Sequence, residues 1–303
     1  MGPVYSTWTY LKGVTQPTVA VLTALSLEYR AVQGHLTNLR KVEDPRSGTR
    51  ALVGQLPVTP WSVALLQSGE GSVTAAVLTE RVLRWLDPEA VLFVGVAGSL
   101  KRDIEIGDVV VATKVYGIHG GKDTPQGFLV RPEAWRASYR LMEAARDALR
   151  DDPHVHLKPI ATGDVVLAAA RSALAEHLRT HYNDAAAIEM EASGVVAAAE
   201  LAGSHALVIR GVSDRANAAK SRADAQGSQL RAATNAAAAA MAVLREFRPF
   251  RGGPEFGEAS RDSEEGPHRR ASYEGDHLDF RGSTFHGPFV AKQVGREQHG
   301  GRR

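Results

Sequence analysis

The chain has 303 residues, with 36 Lys and Arg against 34 Asp and Glu, 44% hydrophobic residues and no cysteine. That apolar content suits a globular protein and is too high for a wholly disordered one, and a net charge of +2 argues against a protein that coats nucleic acid. Without cysteine there is no disulfide framework, no thiol nucleophile and no zinc–thiolate site.

Residues 1–17 read as an N-terminal extension, with aromatics and two prolines but no basic-then-apolar signal pattern. The longest apolar run, Ala90 to Leu100, falls well short of the ~20 residues that span a bilayer. The expectation is a soluble, cytoplasmic protein. From Thr18 to Phe247 short β-branched runs alternate with Ala-rich helical ones. Val19–Thr23 is predicted as a strand and Leu25–His35 as a helix. Ser62–Gln67 is a strand that meets Ser68-Gly69-Glu70-Gly71, and a helix over Ser72–Leu86 stops at Asp87-Pro88. Ala90–Val96 is continuously apolar, as a strand buried on both faces must be. Gly107–Val115 is a strand. Trp135, Tyr139, Leu141, Met142 and Ala145 lie near a 3.6 period and predict a helix over Glu133–Arg150. Then come a strand Val155–Ile160, a helix Ala168–Tyr182, a strand Ala186–Met190, a helix Ala192–Ala202, a strand His205–Val212 and a long helix Gln226–Phe247. The alternation predicts one α/β domain over 18–248 with a mostly parallel sheet. After Arg248 the composition changes. Residues 249–276 read as a disordered linker, 277–294 as a patterned interaction segment and 295–303 as a polar tail.

In open α/β sheets ligands collect at the carboxyl ends of strands, so polar residues that follow apolar runs are the candidates. Glu28 follows the first strand and suits general acid or base work if burial raises its pKa; a plain helix-start acid is the other reading. Gly95-Val96-Ala97-Gly98-Ser99 follows the most apolar strand, where glycines let backbone N–H groups approach a ligand. Gly69 and Gly71 make no dinucleotide fingerprint, because Thr74 stands where the third glycine belongs. Ile188-Glu189-Met190-Glu191 places two carboxylates at an apolar strand end. Two acceptors suit a pair of ribose hydroxyls, and a thioether suits the flat sugar face; a salt-bridged helix start is the other reading. Ser213-Asp214 closes the run Ala206–Val212, a position suited to proton transfer or to helix capping. The residues call for no cofactor and no metal.

Together these motifs resemble the nucleoside phosphorylase and nucleosidase superfamily, most closely the methylthioadenosine/S-adenosylhomocysteine nucleosidases. The resemblance is carried by Ala187–Ala192, Arg210-Gly211-Val212-Ser213-Asp214, Val94–Gly98, Ile106–Val110 and Ala24–Glu28. It implies a three-layer α/β/α fold with a twisted mixed, mostly parallel sheet. It also implies that Asp214 protonates purine N7, that Glu28 activates water, and that Glu189 supports the water or the sugar. Met190 would lie against the ribose and Glu191 hold its hydroxyls, with Ser213, Ala97, Gly98 and Val166 completing the substrate site. Phosphorylases of the superfamily place an Arg where this chain has Phe93, which favours water as nucleophile. Val96, Val166 and Asn217 depart from the nucleosidase pattern, and the first two, which touch the substrate region, put methylthioadenosine in doubt. Related domains cleave nucleotides in bacterial defence, and Lys122 and Arg131 would then meet phosphates; an exposed basic loop is the other reading. The resemblance implies a homodimer or higher homo-oligomer, and Phe285–Gln293 is similar to short motifs that template cross-β assembly with a partner protein. A phosphorylase and a non-catalytic nucleoside-sensing module remain alternatives. No membrane and no nucleic acid is expected as a partner.

Overall fold

The computed structural model describes residues 16–125, 127–167, 169, 171–216 and 227–250. The expected linker, patterned segment and tail beyond Phe250 lie outside them, as does Asn217. The strands are β1 (Thr18–Thr23), β2 (Thr37–Glu43), β3 (Arg50–Gln55), β4 (Ser62–Gln67), β5 (Ala90–Ser99), β6 (Val109–Gly117), β7 (Gly121–Thr124), β8 (Gly127–Val130), β9 (Glu133–Arg136), β10 (Val155–Thr162), β11 (Ala187–Glu189) and β12 (His205–Asp214). The helices are α1 (Ser26–Gln33), α2 (Ser72–Leu86), α3 (Tyr139–Leu149), α4 (Ala173–His181), α5 (Ala192–Leu201) and α6 (Ser228–Glu246).

The sheet is mixed, in the order β11-β10-β6-β12-β5-β1-β4-β3-β2, with β9 on β6. Its middle is parallel: β12, β5, β1 and β4 run side by side in one direction. β11 also pairs antiparallel with the end of β5, so β5, β12, β6, β10 and β11 close a ring. Period-two alternation explains the three layers. Val19 and Val21 face a core shared with α1, α3 and α6, whereas Ala20 and Leu22 face one shared with α2 and α5. Both faces of β1 are therefore buried, and no polar residue interrupts it before Thr23. The helix α4 packs on a third cluster with Ile118, Ala161 and Ile188.

Several predicted elements shift. The predicted helix Glu133–Arg150 is a strand followed by a helix, with Trp135 paired to Val115 across β6 and β9. The unpaired edge of β6 captures the first residues, and the backbone turns at Ala137 and Ser138, whose N–H groups donate to Thr113 and Ala206. The helix expected from Ala168 starts at Ala173, because the Ser172 hydroxyl accepts the Ala175 N–H at 3.1 Å and caps it. The strand expected from Gly107 starts at Val109, since Gly107 sits in a turn at φ +99°. The strands β5 and β12 run past their apolar cores to Ser99 and Asp214, because the ladder continues from Gly98 to Asp214. The edge strand β2 is largely exposed and carries no apolar pattern, and sequence reading passed over it, as it did β3 and the β7–β8 hairpin. Among the described residues no helix is long and apolar enough to cross a membrane.

Candidate active site

The carboxyl ends of β1, β5, β11 and β12 converge. At the end of β1 the chain turns into α1, and Glu28 folds back over that turn. Its Oε2 accepts the N–H groups of Ala24 and Leu25, each at 2.8 Å, and its Oε1 accepts the Val96 N–H of β5 at 2.8 Å. Glu28 is 2% exposed. Burial pushes its carboxyl above the ordinary value, and the Arg210 charge and the three amides only partly offset this.

Arg210 lies inside the apolar run of β12 and is wholly buried. Its Nη2 donates to the Glu189 carboxylate and lies 3.8 Å from Glu191. Its guanidinium carbon stands 4.0 Å from the centroid of the Phe93 ring, so the ring face covers the cation. Its Nε has no hydrogen-bond partner. Gly95 is the register partner of Arg210, and a Cβ there would overlap both the guanidinium and the Glu28 carboxylate. Glycine is thus required where the two charges pass the β5 backbone.

Glu189 ends β11 and turns inward. Besides Arg210 it accepts the N–H groups of Glu191 at 3.2 Å and Ala192 at 3.0 Å, which caps the start of α5. Glu191 accepts the Gly71 N–H at 3.1 Å. That contact needs α5 to approach the start of α2 closely, and Gly194 permits it: a Cβ there would collide with the Ser72 carbonyl. Burial raises the Glu191 carboxyl above its ordinary value; Arg210 opposes this, and Glu189 and Glu28 add to it.

Asp214 closes β12 and is 2% exposed. Its Oδ1 accepts the Ala216 N–H at 2.7 Å, and its Oδ2 accepts the Ser213 hydroxyl at 2.9 Å. Gly98 faces it, and a Cβ on Gly98 would lie 2.9 Å from Oδ1.

These groups line one cavity of about 240 Å³. It is walled by Glu28, Glu189, Met190, Glu191, Ser213 and Asp214, by Ala97, Gly98 and Val166, and by Glu70. Among the described residues its lining holds five carboxylates and no Lys, Arg or His. The structure therefore gathers every expected site residue except Lys122 and Arg131. Those two belong to the β7–β8 hairpin and its exit and line no part of the cavity. Of two larger hollows, the one of about 930 Å³ beside α4 has no acid in its described lining, and in the one of about 610 Å³ near His154 three acids, Glu105, Asp108 and Asp152, stand with the bases His154 and Arg231. Sequence reading missed Arg210 and Glu70. A signal for Arg210 existed: a charge inside Ala206–Val212 must find partners, since an unpaired buried charge is prohibitive.

A family model described as the phosphorylase superfamily matches residues 18–246. The 5′-methylthioadenosine/S-adenosylhomocysteine nucleosidase of Hydrogenovibrio crunogenus is 30% identical over 204 residues, 65% of this chain and 84% of that protein. Among solved structures, the nucleosidase of the same name from Neisseria meningitidis, in complex with methylthio-immucillin-A, is similar with a TM-score of 0.66. It is 26% identical, and the match covers 75% of this chain and 98% of that one. A futalosine hydrolase of Helicobacter pylori shares the fold, with a TM-score of 0.66 at 23% identity, covering 76% of this chain and 98% of that one. The matched span contains every wall of the acidic cavity, so fold, site and relatives agree: the chain belongs to the phosphorylase superfamily, alongside its nucleosidases.

Proposed function

We propose that the enzyme hydrolyses the N-glycosidic bond of an adenine nucleoside. The observation that carries this reading is the single cavity in which Glu28, Glu191 and Asp214 meet, with no cation among its described lining residues. Water attacks C1′ and gives a proton to Glu28, whose carboxylate burial makes a better acceptor. The C1′–N9 bond breaks with its electron pair going to the purine, and Asp214 as general acid passes a proton to N7. The Ser213 hydroxyl and the Ala216 amide hold the Asp214 carboxyl in place for that transfer. Glu191 accepts from the ribose hydroxyls and Met190 lies on the sugar face. The surrounding carboxylates stabilise positive charge as it develops on the ribose. Glu189 acts through Arg210 and the start of α5 rather than on the substrate.

Water is favoured over phosphate because a phosphate dianion would enter a cavity of five carboxylates that has no cation among its described lining residues. The Phe93 ring covers Arg210, so that cation is spent on Glu189 and Glu191. The homo-oligomer implied by the resemblance is supported by exposed apolar residues on α2 and at the cavity mouth, Val73, Val77, Val165 and Val166. Light scattering on the full chain reads it.

The test incubates the full-length protein with adenosine, methylthioadenosine, S-adenosylhomocysteine, AMP and ATP, with and without phosphate, and follows free base and sugar. Adenine release independent of phosphate, with ribose or a 5′-substituted ribose as co-product, is expected. Ribose 1-phosphate as product would replace the hydrolase by a phosphorylase, and ligand binding without turnover would leave a sensing module.

A further inference from the structure

The cavity has two ends, and β12 measures the distance between them. Arg210, which touches Glu191, and Asp214 are four residues apart on that strand, about 13 Å of backbone. The Asp214 end takes the base and the Glu191 end the sugar, on the reading proposed above. Glu70 belongs to the sugar end, because the next residue, Gly71, gives its N–H to Glu191. Consecutive Cα atoms are only about 3.8 Å apart, so Glu70 cannot be far from that contact. C5′ stands on C4′, across the ring oxygen from C1′ and its base, so on that reading its substituent extends from the sugar end, where this loop lies.

Glu70 differs from the other acids of the cavity. Glu28, Glu189, Glu191 and Asp214 are buried and each accepts hydrogen bonds from the protein. Glu70 is exposed, lines the cavity and has no hydrogen bond or ion pair among the described residues. It sits between Gly69 at φ +77° and Gly71 at φ +100°, a turn that side chains with a Cβ rarely adopt. The turn thus presents a carboxylate to the sugar end of the cavity. A positive group on the ligand there would be attracted to it and a negative one repelled.

We propose that Glu70 is a specificity-determining residue for the 5′ position. It favours a nucleoside whose 5′ substituent carries a positive charge, such as an ammonium or sulfonium group, over a neutral one, and it excludes a 5′-phosphate.

The test is calorimetric binding at neutral pH with the full-length protein, using 5′-amino-5′-deoxyadenosine, methylthioadenosine and AMP as probes against the native chain, Glu70→Gln and Glu70→Lys. The native chain is expected to bind the amino nucleoside about three- to tenfold more tightly than methylthioadenosine, and AMP more weakly than both. Glu70→Gln removes the advantage of the amino nucleoside without weakening methylthioadenosine, and Glu70→Lys moves the order toward AMP. Equal affinities in the native chain, a preference that survives Glu70→Gln, or no binding of any probe would overturn the proposal. Free base followed in the same samples reads hydrolysis separately. Charge-ordered binding without cleavage would sink the hydrolase reading and keep the role of Glu70, and cleavage without charge order would do the reverse.

Discussion

Two levels of one strand, β12, hold their charges by different means. At Arg210 a buried cation stands between two carboxylates, with the Phe93 ring on its face and Glu28 across Gly95. Four residues on, a hydroxyl and a backbone amide hold the Asp214 carboxyl. The first arrangement is a charge network, in which removing one member leaves the others buried and uncompensated. The second rests on groups whose bonds an amide side chain can largely keep. On the function proposed above, the contrast separates structure from chemistry: the Arg210 level sets stability and tunes the carboxyls of the sugar end, and the Asp214 level is the proposed source of the proton.

Breaking the chemical end has the largest expected effect. Asp214→Asn lowers kcat about 10²- to 10⁴-fold, because the amide has no proton to give to N7. Its thermal unfolding stays within a few degrees of the native chain, and calorimetry beside steady-state kinetics checks both halves. A variant that unfolds early would show that Asp214 belongs to a structural network after all.

Breaking the network end reverses the pattern. Arg210→Met leaves Glu28, Glu189 and Glu191 buried without their cation and costs about 3–5 kcal/mol of stability, read by urea unfolding. A milder cut, Phe93→Leu, removes the ring face while keeping an apolar side chain and costs about 2 kcal/mol. As Arg210 loosens, the lowering it exerts on Glu28 weakens, so the acid limb of the rate profile moves to higher pH. Stability loss with an unmoved acid limb would reduce Phe93 to simple packing.

The smallest effect is a slope. The Glu28 carboxyl is raised in the folded protein, so the native state holds its proton more tightly than the unfolded chain. Its contribution is fully present below the ordinary carboxylate value and is lost as pH rises through the raised folded value. Unfolding free energy measured across that window should fall with pH in the native chain, and fall less steeply in Glu28→Gln. An unchanged slope would assign the decline to Glu191, which is raised by the same burial.

The candidate site was legible wherever a functional residue sits at a strand end. Glu28, Glu189–Glu191 and Asp214 each follow an apolar run, and acids at such places stand out against the cost of burying charge. Lys122 and Arg131 illustrate the limit. They follow a strand in sequence, but the chain between is spent on the β7–β8 hairpin, and neither lines the cavity. The same limit cost β9, because a residue such as Trp135 satisfies a helical period as well as a strand pairing. An open edge on β6 decided between them.

The amino-acid sequence alone determined the alternation of strands and helices, the strands buried on both faces and the acids at their ends. These follow from local propensity and from the hydrophobic pattern, which act over a few residues. Tertiary structure decided which acids became paired. Arg210 meets Glu189 across 21 positions of chain, and Phe93 covers it from a neighbouring strand. Glu70 has no partner among the described residues at the mouth of the cavity. An ion pair depends on where two backbones lie to within an ångström or two, and strand register and helix approach set that distance, while the order of residues along the chain does not.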